Sequence, residues 1–405
     1  MTYTETLNYI HSLGNFGMSP GLDRIKTVLE KLGKPQNKLK AIHIAGTNGK
    51  GSVSAMLSNV FKTAGYKTGL FISPYIIDFR ERIQINGEYI SKEELCIYAD
   101  RVKNTNVDLI EFEFITALAF LYFAEKNIDI LICETGLGGR LDATNTLDNL
   151  ICAVITKIGL DHTAILGDTI EKITEEKCGI LRNSPVITSP KQEKIAVDVI
   201  KSHTKDLICP DISECKIVKS DITGNTFIYK GEKFETGLSG EYQIENAITV
   251  IETVRSCGYG IPYTILYKGI KDTFFPARLE VVSKNPLIVI DGAHNPDGAA
   301  VLSNELKKYG GKVTAIIGMM KDKNYKEVLS VTLEYCKNAV AVEVENLPRS
   351  LSAEELKDIA KEFCTAFKAE NYEEAIAKAL EISDGDPIFV FGSLYLAADI
   401  RKKIK

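Results

Sequence analysis

Short apolar runs alternate along the chain with longer segments in which apolar positions return every three to four residues. This is the pattern of buried parallel strands joined by amphipathic helices. Residues 41–45, 67–72, 128–133 and 151–158 read as buried strands, and helices are predicted over 2–13, 21–32, 53–65, 92–103, 112–125, 169–181 and 242–257. Segment 112–125 is apolar nearly all round, so it belongs inside a core. Residues 14–21 read as a loop with Pro20, and 78–87 as a loop or short hairpin. After a helix beginning near Lys191, short polar-bounded strands at 216–218, 226–230 and 233–236 suggest an antiparallel patch. Residues 274–286, with two prolines, break the rhythm. It then restarts with strand 287–290, a helix from Pro296, strand 313–317, helix 325–336, strand 339–344, two helices, strand 388–391 and a last helix from Ser393. The expected fold is α/β, with one domain over 1–275 and a smaller one over 276–405.

The run Gly46-Thr47-Asn48-Gly49-Lys50-Gly51-Ser52 lies between a predicted strand and a predicted helix. That order makes a phosphate site. Glycines let backbone N–H groups crowd around an anion, the helix turns its positive end toward it, and Lys50 adds a cation. The spacing departs from a standard Walker A motif, because Ile44 stands where its first glycine belongs and Gly51 separates Lys50 from Ser52. A nucleoside triphosphate is expected here.

Ligands of parallel sheets gather beyond the carboxyl ends of strands. That rim also receives Ser73, Glu134 and His162, each just past the end of its strand. An acid at a strand end, followed by glycines, suits a magnesium ligand of the Walker B kind. Lys177 follows Glu175 and Glu176 near the end of a helix that Thr169 could cap, and from these surroundings it reads as a helix-surface lysine. Asp291-Gly292-Ala293-His294-Asn295-Pro296 ends strand 287–290 either as a polar rim facing a ligand or as an Asx-capped helix with proline in its first turn.

Composition narrows the class. With 405 residues the chain exceeds one typical core, and 45% hydrophobic with 25% charged residues is an ordinary globular balance. A formal charge of −5 offers no basic face for nucleic acid. The nine cysteines form no C-x-x-C pair and read as reduced thiols, so a cytoplasmic location is expected. No apolar stretch reaches about 18 residues, and the first residues lack a cationic and apolar leader, so neither membrane insertion nor export is expected.

Several stretches, read together, resemble the folylpolyglutamate synthase and dihydrofolate synthase family of the Mur ligase superfamily. They are Gly21-Leu22-Asp23-Arg24-Ile25, GTNGKGS at 46–52, Ser73-Pro74, 79–87, Phe112-Glu113-Phe114, ETGLGGRLDATN at 134–145, Leu160-Asp161-His162, 240–246, PARLE at 276–280, DGAHNP at 291–296 and Gly392-Ser393-Leu394-Tyr395-Leu396. They run in family order through nearly the whole chain.

The resemblance implies a large P-loop-type Mur ligase central domain, then a smaller Rossmann-like C-terminal domain, with ATP in the cleft. It also accounts for the shortened phosphate loop. Gly46, Thr47, Asn48, Gly49, Lys50, Gly51 and Ser52 would hold phosphates. Ser73, Glu134, His162 and Lys177 would bind magnesium, Lys177 as a carbamate formed with CO₂. That overturns the surface reading of Lys177, although Glu175 and Glu176 would oppose the added negative charge unless a metal balances it. Asn246, Arg278 and Asp291 match positions for adenine, phosphate and ribose across the domain interface. His294, Ser393 and Tyr395 are implied contacts for glutamate, while Phe112, Glu113, Phe114, Leu141, Asp142 and Ala143 lie where pteroate or folate should sit.

The implied reaction moves the γ-phosphoryl of ATP onto a carboxylate, whose own oxygen is a poor leaving group. Lys50 and magnesium neutralise charge, glutamate's amine attacks the acyl phosphate, and closure of the C-terminal domain excludes water. One family member acts on dihydropteroate, another on the γ-carboxylate of tetrahydrofolate, and many bacterial members do both. The GGRLDATN form at 138–145 resembles the bifunctional kind, with tail extension alone as the alternative. Small-molecule substrates, no nucleic acid or membrane partner, and a monomer are expected. A ligase for a cell-wall nucleotide would usually carry a uridine-nucleotide domain ahead of the phosphate loop, and Gly46 stands too near the start of this sequence for one. A non-catalytic nucleotide-gated module would be expected to have lost Lys50, Glu134 or His162, and all three are present.

Overall fold

Burial of the apolar runs accounts for most of the strands. The computed structural model describes residues 1–14, 21–345 and 347–404. Apart from its end glycines, the loop expected at 14–21 lies outside the described residues. The chain divides into two units. The first is Met1–Val218, Thr226–Gly237 and Gln243–Thr273; the second is Lys219–Asn225, Leu238–Tyr242 and Phe274–Lys405. The second unit thus draws two short segments from earlier in the chain. They are tied to each other by Asn225, whose amide donates to Leu238 O and Gly240 O at 2.9 and 3.1 Å, and by Ser239 Oγ, which donates to Ile222 O at 2.6 Å.

The first unit is built on β1 (Ala41–Ala45), β2 (Thr68–Phe71), β3 (Ile83–Ile85), β4 (Glu88–Tyr89), β5 (Ile130–Glu134), β6 (Leu150–Ile155), β7 (Val186–Thr188) and β8 (Leu207–Ile208), in the sheet order β4-β3-β2-β5-β1-β6-β7-β8. The six strands from β2 to β8 in that order are parallel, while β3 and β4 add an antiparallel edge. Asn86 and Gly87 both take positive φ between β3 and β4, the chemistry of a tight hairpin turn, so segment 78–87 resolves into a 3₁₀ turn and a hairpin. All five residues of β1 and of β5 are buried, as their mostly apolar runs require, with His43 inside β1 and Glu134 at the end of β5. The helix Glu111–Glu125 is buried from Glu113 to Ala124 and forms the spine of one core layer. A second layer gathers Ala153, Ile155, Ile173 and Ile180. Strands β9 (Cys215–Asp221), β10 (Gly224–Tyr229) and β11 (Glu232–Thr236) form a small separate sheet, and the helix Tyr263–Lys271 follows the helix Tyr242–Ser256.

The second unit is a six-stranded sheet of β12 (Glu280–Lys284), β13 (Leu287–Ile290), β14 (Val313–Ile317), β15 (Cys336–Val342), β16 (Thr365–Ala369) and β17 (Ile388–Phe391), ordered β12-β13-β17-β14-β15-β16. All but β12 are parallel. Segment 274–286, read from sequence as a break, therefore contains a strand, with its prolines outside the strand at positions 276 and 286. Glu280 anchors this edge through Arg401 Nε at 2.8 and 2.9 Å. Among the described residues no helix is long and apolar enough to cross a membrane.

Candidate active site

The end of β1 fixes the phosphate loop. Thr47 and Asn48 donate their N–H groups to Lys157 O at 3.0 and 3.1 Å, so the loop is laced to the segment leaving β6. Gly46 has φ 149°, and a Cβ there would lie 1.8 Å from Thr156 Oγ1. Gly49 has φ 93°, and its Cβ would lie 2.5 Å from Asn246 Oδ1. Both glycines are thus required by contact as well as by backbone conformation. Lys50 opens the helix Lys50–Thr63, with Gly51 and Ser52 in its first turn. Asn246 Nδ2 donates to Gln243 Oε1 at 2.9 Å, and Gln243 Nε2 donates to Ser52 Oγ at 3.2 Å, so the helix Tyr242–Ser256 grips the loop directly. Gln243, unremarked in the sequence reading beyond its presence on that helix, is the link.

Lys50 Nζ donates to Gly46 O and Thr47 O at 3.2 and 3.3 Å, and Lys177 Nζ donates to the same Gly46 O at 2.7 Å. Lys177 is only 4% exposed, which corrects the helix-surface position expected from its neighbours. The helix Ile170–Cys178, capped by Thr169 as expected, turns this one long side chain inward. Burial, together with the nearby Lys50 charge and against the pull of Asp161 and Asp142, pushes the Lys177 amine down to about 7. The adjoining acids are engaged elsewhere, Glu176 with Arg140 at 2.6 Å and Glu175 with His203 at 2.7 Å.

Lys50 and Lys177 line one pocket with Gly46, Thr47, the loop 135–138, Asp161, His162 and Leu166. His162 takes φ 51° just before the short helix Thr163–Leu166. Its Nε2 stands 3.9 Å from Asp161 Oδ2. Glu134, 4% exposed at the end of β5, accepts a hydrogen bond from Ser73 N at 3.4 Å, which joins the ends of two neighbouring strands. Among the described residues no cluster of three or more His, Cys, Asp or Glu side chains forms a metal cage.

The loop 136–140 is pressed backbone-to-backbone against the Lys177 helix. A Cβ at Gly139 would lie 2.7 Å from Glu176 O and 2.8 Å from Lys177 O, and one at Gly179 would lie 2.3 Å from Arg140 Cα. Gly139→Ala is therefore expected to cost about 1–3 kcal/mol and to lower the melting temperature measurably, since backbone cannot swing aside as a side chain can. An unchanged melting curve would show that the two segments are free to separate.

Asp142 is buried, and its carboxylate ties this loop together. Oδ2 accepts from Leu137 N at 2.8 Å, while Oδ1 accepts from Thr144 N and from the Thr144 hydroxyl. Desolvation raises its pKa against these hydrogen bonds. Thr144 Oγ1 lies 2.8 Å from His43 Nε2, and because the hydroxyl proton is given to Asp142, His43 must carry its proton on Nε2. Burial pushes His43 down to about 3, so it is a neutral core histidine. Among the residues expected to meet pteroate or folate, Glu113 pairs with Arg24 at 2.8 and 3.0 Å and caps Ile110 N, while Phe114 and Ala143 belong to the core. Phe112 and Leu141 are the accessible members: the Phe112 ring lies 2.5 Å from where a Gly136 Cβ would be, and Leu141 is 38% exposed.

In the second unit, Asp291 ends β13 with both oxygens accepting backbone N–H groups, from Leu279 at 2.9 Å and Ala293 at 2.8 Å. Its burial raises the carboxyl pKa, opposed by Arg278. Arg278 stacks on Phe275 at 5.8 Å. His294 Nδ1 donates to Gly292 O at 2.8 Å, which leaves Nε2 unprotonated in the neutral ring. Asn295 caps the helix Pro296–Leu306 through Gly298 N at 2.8 Å, so the Asx-cap reading holds for that residue. Ser393 Oγ accepts from Tyr395 N at 3.1 Å, and the half-exposed Tyr395 ring lies under Arg349.

Comparison with known proteins gives two family matches, the Mur ligase middle domain over residues 44–254 and the Mur ligase glutamate ligase domain over 277–394. The chain is 36% identical to the dihydrofolate synthase/folylpolyglutamate synthase of Bacillus subtilis, over 100% of this chain and 99% of that protein. It is 32% identical to the folylpolyglutamate synthase of Lacticaseibacillus casei, again over 100% and 99%. Among solved structures it is similar to E. coli FolC in complex with DHPP and ADP, with a TM-score of 0.90, 28% identity and coverage of 100% and 98%. The Mycobacterium tuberculosis folylpolyglutamate synthase complexed with ADP and AMPPCP matches with a TM-score of 0.89, 28% identity and 99% of each chain.

Proposed function

The chain belongs to the folylpolyglutamate synthase and dihydrofolate synthase family of Mur ligases, and from that premise we propose that it joins L-glutamate to folates and to dihydropteroate through an acyl phosphate. It is an ATP-dependent ligase of small-molecule substrates. The observation that carries the reading is the convergence of Lys50 and Lys177 on Gly46 O, at the end of the strand where a nucleotide's phosphates belong.

In this account residues 1–275 handle ATP and the acceptor, and 276–405 present glutamate. The amides of the phosphate loop and Lys50 bind the β- and γ-phosphates, and Lys50 neutralises charge on the transferring phosphoryl group. Asn246 steadies the loop at Gly49 as well as facing the nucleotide. Arg278 contacts phosphate. Asp291 acts on the ribose through the loop ends it holds, since its own oxygens already accept two amides. Phe112 and Leu141 meet the acceptor's ring system, and Asp142 shapes their loop. His294, Ser393 and Tyr395 receive the incoming amino acid.

The donor set fits magnesium. One buried carboxylate (Glu134), a hydroxyl (Ser73) and an imidazole (His162) are the residues that would hold it, and oxygen donors suit that hard cation. Magnesium held there would supply neutralisation of phosphate charge. Lys177, with its amine depressed to about 7, is nucleophilic toward CO₂ near neutral pH, and the resulting carbamate would add a second anionic ligand.

An isotope experiment tests the acyl phosphate. With ¹⁸O in the acceptor's carboxylate, one label is expected in the released inorganic phosphate for each amide formed. Unlabelled phosphate would rule the intermediate out.

A further inference from the structure

Thr135 follows Glu134 at the end of β5 and lines the pocket that Lys50 and Lys177 share. Its backbone is held, with N–H donating to Ile44 O at 2.9 Å. The residue is 1% exposed, and its Oγ1 has no hydrogen-bond partner among the described residues. Comparable threonines of this unit do have one: Thr47 Oγ1 donates to Gly159 O at 3.0 Å, Thr188 Oγ1 to Ile155 O at 3.1 Å, and Thr144 Oγ1 to Asp142. A buried hydroxyl without a partner is costly, and valine would fill the same space without that cost. The expense is met if a ligand completes the bond.

The neighbours define that ligand. The Lys50 ammonium and the Lys177 side-chain nitrogen both reach Gly46 O, and Gly136 beside Thr135 leaves backbone rather than side chain on the wall. An anion is the species that Lys50 attracts, and a hydroxyl adds a directed donor that a point charge lacks. We propose that Thr135 Oγ1 donates a hydrogen bond to an anionic oxygen held by Lys50 in this pocket, that oxygen belonging to the terminal phosphoryl group of the bound nucleoside triphosphate. The proposal rests on the reading that this pocket takes the nucleotide's phosphates. Thr135 is then a binding residue of the phosphoryl-transfer step. The same donor chemistry would suit the oxygen of a CO₂ adduct on Lys177, and the test separates the two sources.

Thr135→Val and Thr135→Ser are compared with the unaltered full chain by calorimetric titration with AMPPCP and with ADP in magnesium, by melting temperature, and by bicarbonate dependence of turnover. The expected result for Thr135→Val is an AMPPCP affinity at least about tenfold weaker, ADP affinity changed less than about twofold, and a melting temperature equal or higher. Thr135→Ser should restore AMPPCP binding to within about threefold. Unchanged nucleotide affinity with at least about a tenfold greater bicarbonate requirement would move the contact to the Lys177 adduct while keeping the anionic-oxygen assignment. Thr135→Val matching the unaltered protein throughout, or melting clearly below it, would overturn the proposal. If the unaltered chain itself failed to bind AMPPCP, the nucleotide reading would fall, and this inference with it.

Discussion

Lys50→Ala is expected to lower kcat for ligation by about 10²–10³-fold or more, because water filling the vacated space carries no positive charge to offset the charge developing on the phosphoryl group. The fold should survive the change. Among the described residues Lys50 Nζ donates only to Gly46 O and Thr47 O, and both carbonyls border the pocket, where water can take over. Steady-state kinetics with a parallel melting curve check this. A variant that melts normally and turns over within tenfold of the unaltered enzyme would show that Lys50 is not the phosphoryl clamp.

The second large effect belongs to Lys177. Lys177→Met is expected to abolish turnover, with no rescue by bicarbonate, while making the protein more stable near neutral pH and below. The sign follows from linkage. The native amine titrates near 7 and an ordinary lysine near 10.5, so between these values the unfolded chain binds the extra proton. Stability contributed by Lys177 therefore rises with pH across that window, and its full cost, a few kcal/mol, is felt below pH 7. The gap in melting temperature between Lys177→Met and the unaltered protein should be widest at acidic pH and shrink toward pH 10. Activity of the unaltered enzyme should rise through pH 7 as the free amine becomes available to CO₂. A gap that does not vary with pH would mean that Lys177 is charged and solvated in the native state.

The contrast between these two lysines explains what was legible in the sequence. Lys50 lies in a local motif in which strand, glycines and helix are contiguous, so its place at the candidate pocket could be read from seven adjacent residues. Lys177 lies on an amphipathic helix between acids, and local pattern gives such a residue to solvent. What buries it is the press of Gly139 and Gly179 against backbone from 37 to 39 positions away in sequence, a tertiary contact that leaves no periodic trace. The same logic covers the strands. β13 and β17 are continuous apolar runs, and β1 and β14 are interrupted only by His43 and Thr314, so all four were readable, whereas β16 has exposed Thr365 and Lys368 at a sheet edge and β8 is two residues long. The helix Tyr263–Lys271 also escaped the reading, although its buried Leu266 and Ile270 stand at helical spacing.

The site shows a similar division. Motif residues came to the pocket together: Gly46, Thr47, Lys50, His162 and, by resemblance alone, Lys177. Residues chosen from contiguous stretches split according to the helix face they occupy, so Phe112 is available while Glu113 is paired and Phe114 is core. Thr135 was present in the quoted motif but carried no signal of its own, because an unpartnered hydroxyl is a property of three-dimensional packing.

The central claim is tested most directly by ADP release from the pure full chain with ATP, magnesium and L-glutamate, using dihydropteroate and tetrahydrofolate as alternative acceptors. The account predicts glutamate-dependent ADP release with each acceptor, matched mole for mole by the glutamylated product. No glutamate-dependent release with either acceptor would contradict it.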